Sequence, residues 1–188
     1  MVELEEIKRR AITIGVAEAL TIDGRESFIR DFVFPALKAG AIYEEQYPLA
    51  TALGRPLIAK YLVEVARRVG SDSIAHGCTG KGNDQVRIDV SVGALAPDIK
   101  VIAPVREWGW NREEETEYAR KNNIPIQERK SRYSTDENLW GRSIEAGDLE
   151  DPWNEPPEEA FAWTNPVSMT PSEPTYLEIT FERGLPTT

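Results

Sequence analysis

Cysteine and histidine are nearly missing from this chain: 188 residues contain one of each, Cys78 and His76. That scarcity excludes a disulfide framework and a Cys/His zinc site. No apolar run approaches the ~20 residues that a membrane helix requires, and the first ten residues carry too many charges for a secretory signal. A cytoplasmic location away from membranes is therefore expected. Basic residues are also in deficit, 22 against 32 acidic, and the resulting net charge of -10 argues against nucleic acid as the main partner. What remains, 40% hydrophobic and 29% charged, is the composition of a globular protein of one domain, or of one domain with an extension.

The negative charge is uneven. Residues 1–100 hold 13 basic and 14 acidic side chains, whereas residues 101–188 hold 9 and 18. A polyanionic ligand such as a nucleotide meets less long-range repulsion in the first half.

Periodicity divides the chain into alternating elements. Leu4, Ile7, Ala11 and Ile14 have helical spacing, and Gly15 suits the end of that helix. Residues 18–23 read as a short strand. Phe28, Phe32, Ala36 and Leu37 form a second helical stripe, which Pro35 should kink or end. The clearest helix runs from Leu53 to Val69, followed by Gly70. Ser73 to His76 and Lys100 to Pro104 read as strands, and Asn111 caps an acidic-to-basic helix whose charges suit its dipole. Strands alternating with helices predict an α/β fold with a largely parallel sheet and flanking helices. From Asp151 the character changes, since 7 of 13 prolines lie there. This region reads as an extended arm with a late strand at Tyr176 to Phe181.

The chemistry-bearing segment is His76 to Arg87, HGCTGKGNDQVR. Three glycines in six residues either build a tight strand-to-helix corner or let the backbone approach a ligand, with Asn83-Asp84 placed as a helix cap. The run fits neither a Walker A loop nor GxGxxG. Thr79, Lys81, Asn83, Asp84 and Arg87 crowd both signs of charge together, which suits a zwitterion better than a bare phosphate. The next stretch, Val86 to Val92, alternates as a strand would, yet the cap residues before it argue for helix. In a helix, Asn83 and Arg87 are i, i+4 neighbours about 5–6 Å apart and can grip one ligand. In a strand they lie about 13 Å apart and cannot. A surface ion pair with Asp84 or Asp89 is the simpler role for Arg87.

Two further constellations stand out. In residues 43–56, Thr51 is a candidate N-cap with the Tyr47 hydroxyl nearby, either as a ligand contact or as a tyrosine bonded to backbone. Residues 133–145 hold Ser134 and Ser143 in a turn-rich stretch that reads alone as a solvated loop.

Taken in order, AHGCTGKGNDQVR, YEEQYPLATALGRPLIAK, APDIKVIAPVREW, YSTDENLWGRSIEAG and LEDPWNEPPE resemble the argininosuccinate synthase family over nearly the whole chain. The resemblance corresponds to about the middle half of the family's length. It implies a partial adenine-nucleotide-binding sheet of the PP-loop/HUP type over residues 1–125, followed by the beginning of an α+β synthetase domain over 126–188. It also implies an ATP-dependent ligase of arginine biosynthesis, working on ATP with Mg2+. Citrulline is adenylylated with loss of pyrophosphate, and the amine of aspartate then displaces AMP. Carried over by motif, Gly77 contacts ATP. Thr79, Asn83 and Asp84 hold aspartate, and Tyr47, Asn83, Arg87, Ser134 and Ser143 hold citrulline, in a family that assembles as a homotetramer. The motifs assign no catalytic side chain and no metal ligand.

Three departures accompany the resemblance. The family's N-terminal pyrophosphate motif, Ser-Gly-Gly-Leu-Asp-Thr-Ser, does not occur. Ala52 stands in place of a citrulline-binding serine, and Val105 in place of a tryptophan. The alternative readings are a non-catalytic truncated relative with an amino-acid-binding or assembly role, and another adenine-nucleotide α/β protein of the same broad fold.

Overall fold

The computed structural model describes residues 2–80, 82–126 and 132–187, so Lys81 of the glycine loop lies outside the described residues. The chain divides into two compact units, residues 1–32 with 52–128, and residues 33–51 with 129–188.

The first unit opens with α1 (Val2–Ile14), which ends at Gly15 in a left-handed conformation, φ +105°, open to glycine and strained for other residues. Residues 18–23, expected as a strand, form none: among the described residues no strand pairs with them, so their amides have no ladder to join. The stripe after Gly24 is helical but not uniform. A four-residue turn, α2 (Arg25–Phe28), passes into a π-helical stretch at Ile29–Val33 and then into α3 (Phe34–Lys38). Pro35 brings no N–H and crowds the carbonyl four residues back, so the widened turn sits directly before it.

The centre of this unit is a βαβ arrangement. The long helix α4 (Ala50–Val69) leads to β1 (Ser73–Ala75), and α5 (Asn83–Leu95) crosses to β2 (Lys100–Ile102). The strands pair in parallel, with Ile74 opposite Val101. Their buried side joins Ala59 and Ala66 of α4 to Ile74, Ile88, Val92, Ala96 and Ile99. Small alanines on α4 allow close helix approach, and Ile88 and Val92, four apart, present one apolar stripe of α5 to the sheet. That stripe decides the Val86–Val92 ambiguity for helix. Two short helices follow, α6 (Pro104–Trp108) and α7 (Arg112–Lys121). Asn111 closes a reciprocal capping box with Glu114.

The second unit contains α3 and the hairpin β3 (Ser134–Asn138) and β4 (Gly141–Glu145), so residues 133–145 form an ordered antiparallel pair where a solvated loop was expected. The turn is set by Asn138, whose side-chain oxygen accepts the Trp140 N–H at 2.8 Å. The expected strand at 176–181 is confined to a small hairpin, β5 (Phe181–Glu182) with β6 (Leu185–Pro186). Its two-residue turn, Arg183-Gly184, has both φ values positive, as tight hairpins require.

Candidate functional site

The glycine loop of the first unit leaves the sheet at His76, whose N–H donates to the Ile102 carbonyl at 3.1 Å and so extends the pairing of β1 by one residue. The helix beyond it starts at Asn83, and its N-cap is Gly82, which makes no side-chain cap hydrogen bond. Asn83 and Asp84 thus occupy the first two helical positions, one step later than expected for a cap. Gly77, Gly80 and Gly82 all avoid the left-handed region. Their backbone shape alone does not demand glycine. At Gly80 the reason is packing, because a Cβ would stand 3.3 Å from Arg106 Cγ. At Gly77, which is exposed, a Cβ would meet no atom within 4 Å, so packing does not require glycine there.

In α5, Asn83 and Arg87 are one turn apart, the spacing at which two side chains can act on one small group. Asn83 is exposed and Arg87 is half-buried. Asp84 is held from two directions. Its Oδ2 accepts Arg55 Nε at 2.7 Å, and its Oδ1 accepts Arg87 NH1 at 2.7 Å. Partial burial pushes this carboxyl up, but the Arg55 and Arg87 guanidiniums outweigh it and hold the group below the ordinary value. Two guanidiniums thus flank one carboxylate beside a helix N-terminus, whose unpaired N–H groups favour an incoming carboxylate. Arg87 therefore makes the ion pair that sequence reading offered as its simpler role, and the pair builds the cluster.

Sequence reasoning missed Arg55, which approaches Asp84 from 29 positions away. It also missed a network behind the loop: His76 Nε2 lies 2.9 Å from Asp89 Oδ1, and Arg106 reaches both Asp89 and Gln85. No short-range spacing rule links these residues. Cys78, between them, packs its side chain against the core. Burial and the Asp84 carboxylate push its thiol up, against the opposing effect of Arg55.

Tyr47, Ser134 and Ser143 belong to the second unit. Helix α4 begins at Ala50, so Thr51 lies inside it, and the expected cap is replaced by the Tyr47 hydroxyl, which accepts the Thr51 N–H at 3.0 Å. A tyrosine can do this because the two lie four positions apart and Leu49, at φ +60°, turns the chain sharply between them. The β3–β4 hairpin is tied to the same segment: Asn138 Nδ2 donates to the Ala50 carbonyl at 2.8 Å, and Trp140 Nε1 donates to the Pro48 carbonyl at 2.7 Å. Directly paired residues of a hairpin share a face. Asn138 pairs with Gly141, and Asp136 with Ser143, so Ser134 and Ser143 lie on the face that meets Pro48 and Ala50. The other face carries Arg142 and Ile144, which line a cleft of about 490 Å³ with Phe161 and Trp163; none of the expected site residues lines it.

Comparison with known proteins agrees with these motifs. Residues 1–125 match the family model described as the arginosuccinate synthase N-terminal HUP domain, and residues 133–188 match its C-terminal domain. The chain belongs to the argininosuccinate synthase family. Over 186 residues it is 62% identical to an argininosuccinate synthase of Dictyoglomus turgidum, covering 98% of this chain and 46% of that protein. The match to the enzyme of Rubrobacter xylanophilus is 61% over 184 residues, 97% of this chain and 45% of the relative. The chain thus spans about half the length of the curated relatives it matches. Membership carries an α/β nucleotide-binding fold, in keeping with the small parallel sheet and its helices. Among the described residues no helix is long and apolar enough to cross a membrane.

Proposed function

We propose that this chain carries part of the machinery for ligating citrulline and aspartate to argininosuccinate at the expense of ATP, releasing AMP and pyrophosphate, in the cytoplasmic biosynthesis of arginine. Residues 1–125 serve as the PP-loop/HUP nucleotide-binding portion and 126–188 as the start of the synthetase portion, within a homotetrameric assembly.

The observation that carries this reading is the Arg55–Asp84–Arg87 cluster at the start of α5. Aspartate offers an ammonium and two carboxylates, and the cluster offers one anion flanked by two cations. Thr79 and Asn83 complete the aspartate contacts. Asn83 and Arg87 turn the same helical face towards citrulline, with Tyr47, Ser134 and Ser143 as its further partners. Gly77, exposed in the loop, takes the nucleotide.

In the first step the ureido oxygen of citrulline attacks the α-phosphorus of ATP and pyrophosphate leaves. In the second, the aspartate amine attacks the activated carbon and AMP leaves. Asp84 is unsuited to remove the amine's proton, because two guanidiniums lower its basicity. Its role is to hold the ammonium end in place while alignment supplies much of the rate. Magnesium, bound through the phosphates of ATP, would neutralise their charge there.

The direct test incubates the chain with ATP, citrulline and aspartate and follows pyrophosphate. Release that requires ATP and citrulline, and that continues beyond one equivalent only with aspartate present, is expected. An inert mixture that also leaves aspartate unbound by calorimetry would sink the reading. In a complete family enzyme, Asn83→Ala should impair the use of aspartate and citrulline together, because one amide serves both.

A further inference from the structure

We infer that His76 is a positioning residue which, with Asp89, Arg106 and Gln85, fixes the backbone of the glycine loop on both sides of Thr79. The inference rests on the reading of this loop as the cradle for aspartate and ATP.

Each link in the chain of hydrogen bonds determines the next. The Cys78 amide can only donate, and it points to His76 Nδ1 at 3.2 Å. Nδ1 must therefore present its lone pair, so the neutral imidazole carries its proton on Nε2. That nitrogen faces Asp89 Oδ1 at 2.9 Å, where a carboxylate can only accept. Asp89 Oδ2 accepts from Arg106 NH1 at 2.5 Å, and the same nitrogen donates to Gln85 Oε1 at 3.0 Å. With its oxygen so engaged, Gln85 turns its amide nitrogen to the Gly80 carbonyl at 2.6 Å. The path leaves the loop at Cys78 and returns at Gly80. Thr79, the one residue between them, has both neighbours tethered.

Burial supports a structural wiring of this kind. The His76 side chain is only 5% exposed, while Thr79 and Gly80 are exposed. The polar support thus lies beneath the loop and leaves its outer edge to the ligand. Arg106 contributes by shape as well, since the absence of a side chain at Gly80 is what lets its Cγ come so close. The Asp89 carboxyl, pushed up by partial burial but drawn down further by Arg106 and His76, stays ionised and keeps both donors. A support of this type matters because a loop that binds through positioned groups loses affinity when those groups wander.

His76 is the sole histidine of the chain, so its imidazole can be read without assignment ambiguity. A long-range proton–nitrogen spectrum of the 15N-labelled chain near neutral pH should give a protonated Nε2 and a bare, pyridine-type Nδ1. The opposite tautomer, a doubly protonated ring, or rapid averaging of the two neutral forms would overturn the inference. Two substitutions then separate the wiring from bulk packing. His76→Asn keeps an acceptor at the position of Nδ1, and His76→Gln keeps a group facing Asp89 but loses that acceptor. Aspartate affinity should stay within about threefold in the first and fall by about tenfold in the second, the worth of one well-formed hydrogen bond, with unchanged far-UV dichroism in both. Equal losses would overturn it. If the unaltered chain binds neither aspartate nor ATP, the proposed function fails, while the imidazole spectrum still decides the tether.

Discussion

Arg55, in the second turn of α4, reaches Asp84, at the start of α5, and places both Nε and NH2 within 2.7 Å of the same carboxylate oxygen. Arg87 takes the other oxygen from within the helix. One acidic side chain is thereby held between a long-range cation and a local one.

Replacing Arg55 by methionine keeps the apolar stem and removes the charge. Both partners are only about a quarter exposed, with side-chain values of 28% and 27%. The loss lies between that of a surface pair and a buried one, about 1–2 kcal/mol of unfolding free energy. A urea titration measures it. A change indistinguishable from zero would mean that Arg87 alone satisfies Asp84.

Acid should weaken the first unit through Asp84 and Asp89. Both carboxyls lie below the ordinary 3.8 in the folded chain, because the guanidinium and imidazole partners outweigh the effect of burial. Groups of this kind add stability that is complete above the unfolded value and is lost as pH falls through the lower folded values. The urea midpoint should hold level from about pH 7 to about pH 5 with respect to these groups and decline below about pH 4. In Asp84→Asn the decline should be shallower. An unchanged slope would count against the paired carboxylate.

Glycine substitutions distinguish packing from ligand clearance. Gly77→Ala introduces a methyl that meets nothing within 4 Å, so thermal stability should barely move, whereas ATP affinity should drop by about tenfold or more if backbone approach is needed there. Gly80→Ala sets a methyl 3.3 Å from Arg106 Cγ and should lower stability as well. Identical behaviour of the two variants would contradict the assignment.

Two capping contacts of similar worth to stability are separable by ligand binding. Asn111→Ala removes the oxygen that accepts the N–H groups of Glu113 and Glu114, and should cost about 1 kcal/mol. Tyr47→Phe leaves the Thr51 N–H without its acceptor, and should cost about 1 kcal/mol. If Tyr47 also contacts citrulline, its variant alone loses citrulline affinity in calorimetry, and Asn111→Ala leaves that affinity intact.

Much of the local architecture was legible in the residue order. The helical period of α1 and α4, the Asn111 box before α7 and the Gly15 and Gly70 stops all act over three or four residues, the range over which backbone and side chain decide one another. The loop motif His76 to Arg87 was equally plain, and so was the family. Other features depend on partners distant in sequence. Residues 18–23 read as a strand but, among the described residues, have no strand to pair with, and Val86 to Val92 alternate yet fold as helix because Ile88 and Val92 cover the sheet. Arg55 on Asp84 and Arg106 on Asp89 join positions 29 and 17 apart, and the hairpin's hold on Pro48 and Ala50 spans about 90. Periodicity carries no information about such pairings. They arise only when packing brings remote segments within hydrogen-bond distance, and it is there that the loop acquires its support and its charge.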